Sequence, residues 1–150
     1  MSEKIHKGVE LIITNKNYDT FIIQQKDEDY WIKEYRLKYC LFGGGIEKNE
    51  TPIKALRREL YEEFPKIEAA LLYKNTKKLF SFNFKNIFRK PCKTFIYETI
   101  LKDSELKMIS KNKVKEGKRG ILIKRNKLDE SSFFIETWTS FKKYLDLKRT

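Results

Sequence analysis

A single histidine, His6, stands in the whole 150-residue chain. That scarcity excludes a histidine-built metal centre and any catalytic triad that needs an imidazole. Cysteine is nearly as rare, with only Cys40 and Cys92, far apart in the sequence. One structural disulfide could join them, but two reduced thiols acting as small apolar residues in strands is the favoured reading. No apolar run is long enough to span a bilayer, and Met1-Ser2-Glu3-Lys4 lacks the pattern of a signal peptide. No membrane partner is expected, and the setting implied is soluble, reducing and cytoplasmic. Repeats, low-complexity tracts and interdomain linkers are also missing.

The chain has cations in abundance. Lys and Arg number 33 against 21 Asp and Glu, a net charge of +12. The excess concentrates between Lys85 and Arg125, where thirteen basic residues face four acidic ones, a net of +9. Such a field would gather polyphosphates or nucleic acid. A lysine-rich composition that simply drifts basic explains it equally well. The length suits one domain over residues 1–150, with enough apolar content for a core.

Hydrophobic alternation predicts a strand at Val9, Leu11 and Ile13, a turn at residues 15–19, and a return strand from Thr20 to Gln25. A polar loop from Lys26 to Glu34 follows, carrying Tyr30 and Trp31, and Lys38 to Phe42 reads as a short strand. Further strands are expected at Ala69–Tyr73, Lys77–Phe84, Lys93–Leu101 and Gly120–Lys124. Phe134, Trp138, Phe141 and Leu145 mark an amphipathic C-terminal helix.

The most informative stretch runs from Gly43-Gly44-Gly45 to Glu63-Phe64. Thr51 suits an N-cap and Pro52 the first helical position, Ile53, Leu56, Leu60 and Phe64 form an apolar stripe, and Pro65 forbids continuation. Glu59, Glu62 and Glu63, at i, i+3 and i+4, project from one side of that helix. Like charges so close repel by a few tenths of a kcal/mol per pair. Such a patch makes sense as a hard-cation site, because Mg2+ prefers oxygen ligands and leaves room for water and substrate phosphates. Arg58 can brace the cluster. The glycines allow a ligand to approach the main chain closely.

Taken together, Gly44, Glu50, Arg58, Glu59, Leu60, Glu62 and Glu63 resemble the Nudix box, G-x5-E-x7-R-E-U-x-E-E-x-G-U. Pro65 and Lys66 depart from its last two positions. The resemblance implies an α/β/α sandwich with a mixed β-sheet between helices. It further implies hydrolysis of the diphosphate linkage in a nucleoside diphosphate joined to another group. Glu59, Glu62 and Glu63 would hold Mg2+ (Mn2+ as substitute), with a carbonyl from the Gly43–Gly45 turn, and Glu50 and Arg58 would orient the cluster. Glu62, Glu63 or Glu116 would take the proton from water. Glu116, in the Lys115-Glu116-Gly117 loop, is also a candidate metal ligand, with Glu98 and Glu136 as weaker rivals.

Substrate contacts are expected from Gly44, Gly45, Tyr30, Trp31 and Tyr35. Phe80, Phe82 and Phe84, at period 2 beside several lysines, read chiefly as core and secondarily as a stacking face. A small nucleotide is the favoured partner; an RNA 5′ end, or a non-catalytic nucleotide- or RNA-binding role, is the alternative. Both a monomer and a homodimer are compatible with the sequence.

Overall fold

The structure, a computed structural model, describes residues 4–111 and 119–148. Its frame is a seven-stranded sheet. Strand β1 (His6–Thr14) pairs antiparallel with β2 (Thr20–Gln25) and parallel with β6 (Pro91–Ile100). β5 (Thr76–Lys85) closes one edge against β6, and β3 (Tyr39–Cys40) and β7 (Arg119–Lys124) both lie along β2. β4 (Phe42–Gly45) leaves that path and pairs with the first half of β1. The sheet is therefore mixed, as expected.

Helices cover both faces. Val9, Leu11 and Ile13 point to the face packed by α1 (Pro52–Glu63), α2 (Lys66–Lys74) and α3 (Asp103–Lys111). Ile12, Phe21, Ile23 and Ile96 point to the other, under α4 (Ile135–Leu147) through Phe141, Tyr144 and Leu145. This is the three-layer α/β/α arrangement. The helix α1 begins and ends where its sequence demands: the Thr51 hydroxyl accepts from the Lys54 backbone N–H at 3.4 Å, and Phe64 before Pro65 is extended. Leu56, Leu60 and Phe64 are buried with Ala55, whereas Ile53 stays exposed.

Two helices differ from the expectation. Residues 69–73 form the middle of α2 rather than a strand. A short apolar run has no decisive period, and Ala69, Ala70, Leu71 and Leu72 are good helix formers. The short α3 went unforeseen; it buries only Leu106 and Ile109, and its first turn is capped when Glu105 accepts the Lys102 backbone N–H at 2.9 Å. Both cysteines are free and buried. Among the described residues no helix is long and apolar enough to cross a membrane.

Candidate active site

Strand β4 and helix α1 meet at Arg58. Its guanidinium grips Glu50 with two parallel bonds, Nε to Oε2 at 2.8 Å and Nη2 to Oε1 at 2.9 Å. The same Nη2 donates to the Gly45 carbonyl at 2.9 Å, while Nη1 donates to Glu59 at 3.0 Å and reaches Glu62 at 3.5 Å. One planar fork thus ties the glycine strand, the connecting loop and the helix into a single unit. The bonds from Arg58, and then one from the Glu47 backbone, hold the Glu50 carboxyl down to about 2. The Arg58 guanidinium is pushed up in turn, chiefly by its bonds to Glu50.

The glycines are required where they stand. Gly43 has φ 144°, and a Cβ there would lie 1.9 Å from the Val9 carbonyl oxygen. A Cβ on Gly44 would lie 2.3 Å from Glu59 Oε1. At Gly43 backbone blocks any side chain, whereas at Gly44 a side chain would displace the Glu59 carboxylate from its place beside the strand.

Glu59, Glu62 and Glu63 share the same end of α1 but not the same environment. Glu63 is 1% exposed, whereas the Glu62 side chain is 50% exposed. Among the described residues, no three His, Cys, Asp or Glu side chains already converge as a metal centre would require. Arg58 engages Glu59 and Glu62 instead. The donor set is nonetheless all carboxylate, beside a glycine backbone held open, and fits a hard divalent cation.

On the opposite face of the sheet lies a cavity of about 260 Å3, bordered by Gly43, Gly44 and Gly45. Its walls include His6, Glu10, Gln24, Tyr30, Phe84, Phe134 and Thr137. His6 is therefore no bystander: it begins β1, and its Cε1 lies 3.5 Å from where a Gly45 side chain would start. Glu10 interrupts the apolar run from Val9 to Ile13, and its Oε2 is buried without a hydrogen-bond partner. Burial first, and then the charge of Glu136, push its carboxyl up to about 7.

The loop aromatics go to different places. Tyr30 lines the cavity, with Lys26 Nζ 4.9 Å from its ring centroid. Trp31 does not line it; 73% exposed, it stacks on Phe88 of the β5–β6 turn at 6.5 Å. Tyr35 stacks on Phe134 at 3.7 Å and donates its hydroxyl to Glu136 Oε1 at 2.6 Å. Burial and that bond push the Tyr35 phenol up. Glu98 lies under α4, where it accepts from Tyr144 and meets Lys148 at 3.5 Å, a structural tie. Glu116 lies outside the described residues.

A family model described as "NUDIX domain" matches residues 4–142. The chain belongs to the Nudix hydrolase family. No curated protein matches it significantly. Solved structures resemble this Nudix domain in fold at low identity. A NUDIX hydrolase from Nitrosomonas europaea is 14% identical with TM-score 0.63, over 97% of this chain and 92% of that one. A MutT structure from work on Aliivibrio salmonicida and Vibrio cholerae is 18% identical with TM-score 0.59, over 97% and 100%. A bifunctional NMN adenylyltransferase/ADP ribose pyrophosphatase from Francisella tularensis, complexed with AMP and a Mn ion, is 12% identical with TM-score 0.61, over 99% of this chain and 43% of that one.

The cavity walls are where sequence reading missed most. His6 and Glu10 come from β1, Gln24 from β2 and Thr137 from α4, while Phe84 of β5 reads from the sequence only secondarily, as part of a stacking face. The one available signal was Glu10 itself, an acid in the apolar run Val9 to Ile13.

Proposed function

We propose that this Nudix domain hydrolyses the diphosphate linkage of a nucleoside diphosphate joined to another group, with a small nucleotide as substrate. The observation that carries this reading is the Arg58 fork, which joins the glycine strand to the α1 carboxylates beside a cavity of head-group size. Glu59, Glu62 and Glu63, with the Gly43 carbonyl and Glu116, would hold Mg2+ or Mn2+. A bound divalent ion supplies charge neutralisation at the phosphoryl oxygens and a more acidic water. Arg58 and Glu50 orient the helix carboxylates. The proton from water passes to Glu62, Glu63 or Glu116, and water attack at phosphorus forms no covalent enzyme intermediate. Tyr30, Phe84 and Phe134 offer ring faces for the group that the phosphates carry.

Turnover of the purified protein on a panel tests this: nucleoside triphosphates, oxidised nucleotides, dinucleoside polyphosphates and nucleotide sugars, each with Mg2+ and Mn2+. Metal-dependent release of a nucleoside monophosphate from any member is the expected result. Absence of turnover across the panel, with binding retained, would instead favour a non-catalytic nucleotide-binding role. An RNA 5′-end substrate is the second reading, favoured by the exposed Trp31–Phe88 stack, whose partners are 73% and 56% exposed on a basic chain.

A further inference from the structure

Past the glycines the surface opens into a second and larger compartment. It is a groove of about 860 Å3, walled by the chain entering β1 (Lys4 to Lys7) and by residues 46–50, the link from β4 to α1. The Ile46 backbone N–H donates to the Lys7 carbonyl at 2.9 Å and ties the two walls together. His6 borders both this groove and the cavity beside Gly43–Gly45, with its imidazole against Gly45, so the two compartments meet there. The charges of the groove are unequally engaged. Its two acids belong to the Arg58 fork: Glu50 takes two of its bonds, and Glu47 lies 3.7 Å from Nε. Lys4, Lys7 and Lys48 are exposed and make no side-chain hydrogen bond or ion pair with another described residue. Counting Arg58, four cations stand against two carboxylates, and three of the four are uncommitted. Such a groove offers a positive face to a ligand.

We propose that this groove binds a polyanionic chain, the phosphates that continue beyond the linkage to be cut. The group joined to the nucleoside diphosphate is then itself an oligophosphate. The inference rests on the hydrolase reading above and deepens it by naming that group. The substrate runs one way: its cleaved linkage lies by the glycines and α1, and the trailing phosphates pass His6 toward Lys7, Lys48 and Lys4. A triphosphate is too short to engage all three lysines, so the groove acts on longer chains. Lysine suits this task better than arginine. Its ammonium is a compact point charge on a flexible stem and can follow a chain of varying shape, whereas the planar Arg58 fork is committed to fixed carboxylates. A uniformly basic surface would make every exposed lysine of the chain equivalent toward such a ligand. The groove makes three of them special.

Binding of methylene-bridged analogues, which resist hydrolysis, tests this apart from turnover. The full chain at fixed Mg2+ is titrated calorimetrically with adenosine and guanosine tri- and pentaphosphate analogues. The preference for chain length is taken within each base, so the head group cancels. The native protein is expected to bind the longer chain about tenfold or more tighter at low salt, with a salt slope steeper by about 1.4 for the two extra phosphates. When Lys4, Lys7 and Lys48 are all changed to Gln, the preference falls below about threefold while the triphosphate Kd stays within about twofold. A matched control changes the exposed Lys16, Lys102 and Lys107, which lie beyond the last residues of β1 and β6, and keeps the preference. If thermal unfolding shows that the triple variant has lost its fold, Lys7→Gln and Lys48→Gln singly carry the test, each with a partial fall. No chain-length preference in the native protein, an unchanged preference in folded groove variants, or an equal fall in the control overturns the proposal. So does a gain that appears only when a second nucleoside caps the pentaphosphate, because a base and not the chain would then be bound. Turnover without chain-length preference sinks this inference alone, whereas preference without turnover sinks the hydrolase reading alone.

Discussion

The two ends of the site follow opposite electrostatic rules. Around Arg58 the short contacts are charge-assisted: Glu50 is doubly bonded and Glu59 and the Gly45 carbonyl are engaged. Around Glu10 the buried oxygens wait for partners, and the carboxyl is pushed up rather than down. A bonded charge cluster can be rigid before ligand arrives, while an unengaged polar wall gains its partners only when a ligand is bound. On the reading proposed above, the first kind of site suits the phosphate chemistry, and the second borders the group that the phosphates carry.

The largest effect should come from the helix end. Glu62→Gln or Glu63→Gln is expected to lower kcat at least about a hundredfold, because each removes a charge where a divalent ion must be held. Folding should survive, with thermal stability equal or slightly higher as repulsion on α1 is relieved. Unchanged turnover in both variants would detach α1 from the chemistry and leave the comparison without its first member.

Next comes Arg58→Met. It strips Glu50, Glu59 and Gly45 of their common partner at once, so about 1–3 kcal/mol of stability should go, with a ten- to hundredfold drop in kcat. Denaturant unfolding and steady-state kinetics would check both. A stable, active Arg58→Met would mean that the fork is incidental.

The pH dependences should run in opposite directions. Glu50 has its pKa depressed to about 2, so its stabilising contribution is present above about 4.5 and is lost as pH falls toward 2. Glu10 has its pKa raised to about 7, so its carboxyl becomes a cost as pH rises from about 4.5 through 7. Glu10→Gln should therefore stabilise the protein at pH 8 relative to pH 5, by on the order of 1 kcal/mol. Glu50→Gln should flatten the acid limb of the melting profile. Equal effects of Glu10→Gln at both pH values would show that Glu10 is not desolvated.

The same contrast explains what could be read in the sequence. The Arg58 cluster lies within twenty residues and is held by one helix, so spacing alone places Glu59, Glu62 and Glu63 on one side and puts Arg58 beside them. The glycines before it read as a turn; that they continue as strand β4 follows from their pairing with β1, which spacing does not show. The cavity wall needed tertiary information throughout. Glu10 from β1, Gln24 from β2 and Thr137 from α4 meet only because the sheet pairs β1 with β2 and α4 packs across that face. Tyr35, from the loop before the glycines, donates to Glu136, a contact spanning 101 residues that no spacing in the sequence shows. For the fold, period-2 runs located β1, β2, β5 and β6, while α2 was misread where Ala and Leu supply apolarity without a period.

The smallest expected effect concerns the surface rather than either end of the site. Trp31 and Phe88 join the β2–β3 connection to the β5–β6 turn, and they are also the exposed rings on which a trailing RNA base could stack. A free triphosphate offers its charges to the helix end alone. A triphosphate-ended oligonucleotide adds backbone phosphates, each contributing a slope of roughly −0.7 in log K against log[salt]. On the small-nucleotide reading, kcat/KM for the two should have similar, shallow salt slopes at fixed Mg2+, and Trp31→Ala should change neither by more than about twofold. Base stacking on an aromatic contributes about 1–3 kcal/mol per base, so an RNA-end enzyme would lose roughly fivefold or more on the oligonucleotide in Trp31→Ala. A slope steeper by about two for the oligonucleotide, together with that loss, would move the substrate from the cavity's single head group to a chain that crosses the basic surface.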